Sequence, residues 1–188
     1  VPLHGDDPHW WQDPRDAAIA VGEIRAALDR ADPSHRAAYD AAARSYTGRI
    51  DRLDRAVAAC IDRVPAAQRR LVTTHDALGY YARRYGLAVI GTVIPSLSTE
   101  GQPSAGDTAK LIATIRRTGV KAVFAESSVN PQVEEAIAHE TGAAVGRALW
   151  ADSLGPAGSD GATYLQSIAA NTDAIAEGLS GGTVRCGL

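Results

Sequence analysis

After Pro65 the chain alternates short apolar runs with amphipathic stretches, and this alternation restricts the possible folds more than any other feature. Strand-length apolar runs occur at Leu71–Thr74, Ala88–Gly91, Ala122–Ala125 and Ala143–Val145. Amphipathic stretches at about 77–85, 105–118, 131–141 and 161–179 predict helices between and after them. Strand and helix repeated at this spacing predict an α/β fold, a four-stranded parallel sheet with helices on both faces.

A long helix is predicted ahead of this region. Apolar residues recur at three- and four-residue steps from Tyr46 to Val64, so one amphipathic helix is expected over 33–64, with the pairs Asp40/Arg44 and Asp51/Arg55 on its solvent side. Its length would be about 45 Å at 1.5 Å per residue, which indicates a strut rather than a core element. Asp13-Pro14 predicts the start of an earlier helix over 14–30.

Composition limits the class of protein. At 188 residues and 45% hydrophobic, the chain can bury one core, so one domain with an appendage is expected. Residue 1 is Val and the chain contains no Met, so we expect that residue 1 is not a translation start and that no signal peptide remains. The net charge of −3 and the dispersed arginines argue against a nucleic-acid partner.

The two cysteines leave an alternative open. Cys60 and Cys186 form neither a CxxC pair nor a zinc ribbon. They form one disulfide if the chain is exported, or remain two unrelated thiols.

Metal-ligand residue types occur at four places. His9 is held between two Asp-Pro steps in the segment Asp7–Pro14, while His75, Glu126 and Asp152 follow predicted strands. Because ligands gather at the carboxyl ends of parallel strands, these side chains are expected to meet. Two imidazoles with one or two carboxylates suit Zn²⁺ or Mn²⁺.

Each candidate also has a purely structural interpretation. His75 could cap the following helix or bond Asp76, and Asp152 could cap a turn. For Glu126 we favour hydrogen bonds to loop amides over a ligand role. Trp10 and Trp11 are interpreted as packing residues, and His4, His35 and His139 have no ligand-like context.

The candidates lie in motifs that resemble one known family. The motifs are Asp7–Pro14, Thr74–Tyr81, Glu126–Pro131 and Ala151–Gly155, followed by 161–165 and 171–179. In this order they resemble the zinc- and manganese-binding solute receptors of bacterial ABC importers, the TroA-like or ZnuA-like proteins. The resemblance covers nearly the whole chain.

The resemblance implies two α/β lobes joined by one long rigid helix, with the metal held in the cleft between them. Residues 1–32 would be a remnant of the front lobe, 33–64 the connecting helix and 65–188 the second lobe. The metal ligands implied are His9, His75 and Asp152, and the family's front-lobe histidine has no counterpart here. His9 is therefore expected to be the least secure ligand, on a loop without its supporting sheet, and metal binding is expected to be weaker than in an intact receptor.

The function implied is that of an extracytoplasmic binding component, periplasmic or a cell-surface lipoprotein. It would bind Zn²⁺, or Mn²⁺ as a close second, and hand the ion to an ABC permease in the membrane, as a monomer and without catalysis. Two alternatives remain open at this point. One is a metal-dependent hydrolase with Glu126 as base, and the other is a surface adhesin.

Overall fold

The computed structural model describes residues 5–188, and its helices lie close to the predicted ones. They are α1 (Pro14–Ala31), α2 (Arg36–Ile61), α3 (Gly79–Tyr85), α4 (Ala105–Thr118), α5 (Gln132–Thr141) and α6 (Tyr164–Leu179). Short 3-10 turns precede α1 and α2. No helix in this part of the chain combines the length and the apolar character that crossing a membrane requires.

The strands form the predicted parallel arrangement but are shorter than expected. They are β1 (Arg70–Thr73), β2 (Ala88–Thr92), β3 (Ala122–Val123) and β4 (Ala144–Val145). The pairs β1–β2 and β3–β4 are both parallel. They meet at a single parallel bridge between Thr73 and Phe124, which gives the order β2-β1-β3-β4. The α/β fold class is confirmed, although β1 and β3 share a bridge rather than a full ladder.

Helices cover both faces of the sheet because successive strand residues point to opposite sides. Leu71 and Phe124 belong to a core shared with α2, α3 and α6. Val72 and Val123 belong to a second core, built with Leu111 and other residues of α4 and α5. The alternation of apolar side chains in short strands therefore creates two separate cores.

Helix α2 is more than a strut. Its N-terminal part packs on α1, where Asp40 accepts a hydrogen bond from Arg25 at 2.9 Å instead of pairing with Arg44. Its C-terminal part carries Val57 and Ile61, both fully buried in the main core. The interpretation of this helix as an element outside the core is thus wrong, because one face of its last turns is covered by the α/β lobe that β1–β4 and α3–α6 form.

The two cysteines are joined. Cys60, at the end of α2, forms a disulfide with Cys186, with 5.7 Å between the Cα atoms. Asp173 of α6 accepts hydrogen bonds from the amides of Gly187 and Leu188 at 2.9 and 3.1 Å. The disulfide and these bonds fix the C-terminal tail onto α2 and α6.

Candidate metal centre

His9 is buried and its ring is oriented by a neighbouring carboxylate. Its imidazole Nδ1 lies 2.7 Å from Asp7 Oδ1. The same oxygen accepts a hydrogen bond from the His9 backbone amide at 3.0 Å. The residue is 2% exposed, and the Trp11 ring packs edge-on against it at 5.4 Å. Asp7 was not predicted to act on the site. Its position two residues before a histidine, with proline between them, was the available signal.

The turn that carries His9 is anchored to the α/β lobe. Trp11 Nε1 and Gln12 Nε2 both donate to the carbonyl oxygen of Ala151, at 3.1 and 2.9 Å. The Tyr164 hydroxyl donates to the carbonyl of Trp11 at 2.9 Å. The expectation of an unsupported His9 loop is wrong, because the side chains that follow His9 bond directly to the lobe.

His75 comes directly after Thr74 at the carboxyl end of β1 and is completely buried. Its Nδ1 contacts Glu126 Oε1. It is not a helix cap, since the cap position of α3 is Leu78 and no side-chain cap bond is made there.

Glu126 has a role that the sequence did not reveal. Its carboxylate was expected to bond loop amides, but Oε1 contacts His75, and Oε2 has no hydrogen-bond partner within the described structure. Its backbone amide donates to Thr74 Oγ1 at 3.1 Å. The contact follows from the pairing of β1 with the chain just after β3, which places the residues after both strands side by side.

The predicted ligands converge on one point. His9 Nε2 lies 3.3 Å from His75 Nε2 and 3.4 Å from Asp152 Oδ1, and His75 Nε2 lies 3.3 Å from Asp152 Oδ2. Donors held at about 2.0–2.1 Å from a tetrahedral zinc ion are separated by roughly 3.3–3.4 Å. The spacing of the three side chains therefore suits a single small cation.

The remaining histidines of the described chain lie elsewhere. His35 is exposed and bonds Asp32, and His139 lies in the last turn of α5. His4 lies outside the described residues. Asp152 is 37% exposed at its side chain, whereas His9 and His75 are buried, so the site opens to solvent on the Asp152 side.

The electrostatics of the site favour a cation. A carboxylate lies at the Nδ1 side of each ring, which favours the Nδ1–H tautomer of a neutral imidazole, and each Nε2 faces the other ring and Asp152. Burial alone would lower the pKa of His75. The hydrogen bond that His75 donates to Glu126 and the negative charges of Glu126, Asp152 and Asp76 outweigh burial and raise that pKa above its ordinary value. Three acceptors facing one another require a proton or a metal ion between them.

Comparison with known proteins finds a metal-uptake family and metal-binding relatives. A family model described as zinc-uptake complex component A, periplasmic (ZnuA), matches residues 2–178. Among curated proteins, the chain is 33% identical over 172 residues to the iron-binding protein YfeA of Yersinia pestis, covering 92% of this chain and 55% of that protein. It is 32% identical over 179 residues to the zinc-binding protein TroA of Treponema pallidum, covering 93% and 58%.

Solved structures agree with the sequence relatives. The periplasmic zinc-binding protein TroA of Treponema pallidum superposes with a TM-score of 0.88 at 30% identity, over 96% of this chain and 67% of that chain. A manganese-bound periplasmic metal-binding protein of Candidatus Liberibacter asiaticus gives 0.82 at 27% identity, over 95% and 67%. The chain spans a little over half the length of the two curated relatives.

Proposed function

Since the chain belongs to the family of periplasmic zinc-uptake components, we propose that it supplies metal ligands of an extracytoplasmic receptor. In this proposal His9, His75 and Asp152 bind a divalent ion, which the receptor delivers to an ABC permease in the membrane. The observation that carries the proposal is the approach of two imidazole Nε2 atoms and one carboxylate to within 3.3–3.4 Å of one another.

The contacts behind the ligands support metal binding over a purely structural cluster. Metal-bound histidines commonly donate their second ring N–H to a carboxylate, which fixes the tautomer and the ring orientation. Here His9 has Asp7 in that position and His75 has Glu126. Both rings are thus oriented with Nε2 toward Asp152.

Zinc is the proposed cargo, with manganese second. Two nitrogen ligands favour Zn²⁺ over Mn²⁺, and the general affinity order of divalent ions points the same way. The relatives differ in this respect: TroA is described as zinc-binding, PsaA of Streptococcus pneumoniae belongs to a manganese transporter, and YfeA is described as iron-binding.

Enzymatic turnover is not part of the proposal. The family consists of solute-binding proteins rather than enzymes. The structure also argues against Glu126 as a general base, because Glu126 contacts the Nδ1 side of His75, opposite the nitrogen that faces the ligand cluster. A base has to reach the metal-bound water directly or through one further water.

We further propose an oligomeric state, a partner and a division of the chain. The receptor acts as a monomer, its partner is the membrane permease, and the chain divides into a front-lobe segment (1–32), a connecting helix (33–64) and a second lobe (65–188). The position of α2 (Arg36–Ile61) between α1 and the strands β1–β4 supports this division.

The test is metal stoichiometry measured by equilibrium dialysis with elemental analysis. We expect about one equivalent of zinc per chain, and zinc binding tighter than manganese by at least about tenfold. His9→Ala, His75→Ala and Asp152→Ala should each remove most of the bound zinc, while His139→Ala on α5 should retain it. Unchanged zinc content in all three variants would reject the ligand assignment.

A further inference from the structure

The carbonyl oxygen of Ala151 receives two side-chain hydrogen bonds from the His9 segment. Trp11 Nε1 and Gln12 Nε2 donate to it at 3.1 and 2.9 Å. Ala151 directly precedes Asp152, and Trp11 and Gln12 closely follow His9. One backbone atom therefore joins the segments that carry two of the three proposed ligands.

Further hydrogen bonds hold the backbone around Ala151 and the His9 turn. Tyr164, the first residue of α6, donates its hydroxyl hydrogen to the Trp11 carbonyl at 2.9 Å. Trp150, on the other side of Ala151, is held through its backbone by the Asn171 amide, which accepts at 2.8 Å and donates at 2.8 Å. The Ala151 carbonyl is thus fixed from the lobe side, and the His9 turn is held against it.

The burial of Gln12 is unfavourable for the stability of the fold. It is 1% exposed, and its Oε1 atom has no hydrogen-bond partner in the described chain. A buried carbonyl oxygen without a donor destabilises the fold, whereas an apolar side chain of the same size would not. The amide side chain at this position is therefore better explained by its single donated bond than by core stability.

We propose that Trp11 and Gln12 form a latch on the Ala151 carbonyl that holds His9 and Asp152 at metal-binding distance and sets the rate of metal release. This inference rests on the proposed function. Trp11 and Gln12 act as positioning residues through the backbone that carries His9 and Asp152. The Trp11 ring also packs edge-on against the His9 imidazole, and Trp11→Phe keeps an aromatic ring in that place. Residues that orient metal ligands typically change metal affinity by about 10–100-fold when they are replaced.

The experiment measures zinc dissociation from the zinc-loaded chain, by stopped-flow capture with an excess of a chromophoric chelator. Trp11→Phe keeps an aromatic ring and removes the indole N–H, and Gln12→Leu keeps the size and removes the donor. Trp10→Phe is the matched control, because no described hydrogen bond joins Trp10 to Ala151. We expect each latch variant to release zinc about tenfold faster or more, and Trp10→Phe to release it at the wild-type rate.

Thermal unfolding of the metal-free proteins separates positioning from stability. Gln12→Leu should unfold at the wild-type temperature or above it while losing zinc faster, a combination that a merely structural role does not produce. Wild-type release rates in both latch variants would overturn the latch and leave the proposed function standing. Failure of the wild-type chain to bind zinc would instead overturn the proposed function itself.

Discussion

At the scale of single residues, the site depends on carboxylates that do not face the cluster of ligand atoms. Asp7 and Glu126 each contact the Nδ1 side of a histidine, so the Nε2 atoms remain available as metal ligands. Glu126 is 4% exposed and leaves Oε2 without a described partner. Because an unpaired buried oxygen destabilises the fold, the role of this carboxylate is better explained by the orientation of His75 than by stability.

The Glu126→Ala variant tests whether this carboxylate orients His75. Removing the carboxylate frees the His75 ring to change tautomer and orientation, so zinc affinity should fall by about 10–100-fold. Competition titration against a chelator of known affinity measures the change. Glu140→Ala, which removes an exposed carboxylate paired with Arg116, should leave the affinity unchanged. Equal affinities for wild type and Glu126→Ala would contradict an orienting role.

At the scale of elements, close approach between helix and sheet holds the core together. Gly178 of α6 lies against the Phe124 ring, and a Cβ atom built on it would lie 2.6 Å from Phe124 Cζ and 3.1 Å from Ala122 Cβ. Phe124 is fully buried where β1 and β3 meet. The absence of a side chain at Gly178 thus allows α6 to pack directly on the sheet.

Two glycine substitutions in helices should therefore have opposite effects. Gly178→Ala should destabilise the fold by about 1–3 kcal/mol through overpacking against Phe124. Gly22→Ala in α1, where a Cβ would meet no described atom within 4 Å, should stabilise it by about 0.5–1 kcal/mol through helix propensity. Urea unfolding monitored by circular dichroism gives both free energies. Stabilisation by Gly178→Ala would show that α6 does not pack as described.

At the scale of the whole molecule, a disulfide and side-chain hydrogen bonds reinforce the packing of the N-terminal helical segment (residues 9–61) on the lobe. The Cys60–Cys186 disulfide fixes the end of α2 to the C-terminal tail. At the other end of the segment, the Trp11 and Gln12 bonds fix the His9 turn beside Asp152. Because the proposed ligands come from both parts, metal binding should stabilise the whole chain.

The stabilisation by zinc should depend on pH in a defined direction. The pKa of His75 lies above the ordinary 6.5, so His75 in the metal-free protein keeps its proton to higher pH than a free histidine does. Zinc has to displace that proton. The apparent affinity for zinc should therefore fall as pH falls, by about tenfold per pH unit for each proton displaced.

In the metal-free protein, the contribution of His75 to stability should change with pH in the opposite direction. A raised folded-state pKa gives stability that is fully present below the unfolded value and is lost as pH rises through the folded value. The increase in Tm caused by zinc should therefore be larger at pH 7.5 than at pH 5.5, measured by thermal denaturation with and without zinc. An increase that is equal at both values would exclude proton displacement from His75.

Much of this architecture could be predicted from the sequence because it depends on local patterns. The short apolar runs, the helical periodicities and the Asp13-Pro14 start of α1 are properties of neighbouring residues, and the structure places these elements within a few residues of the predicted positions. The ligand candidates His9, His75 and Asp152 were identifiable because the carboxyl ends of parallel strands share one edge and because their motifs resemble a known family.

The sequence could not predict which atoms meet, because such contacts depend on how distant segments pack. That Glu126 would orient His75 depends on the bridge between β1 and the chain after β3, and the anchoring of His9 depends on hydrogen bonds across about 140 positions of sequence. The disulfide, left open by the sequence, forms because folding brings Cys60 and Cys186 to a Cα separation of 5.7 Å. Local patterns fix the conformation of short segments, whereas contacts between distant segments depend on how the two cores pack.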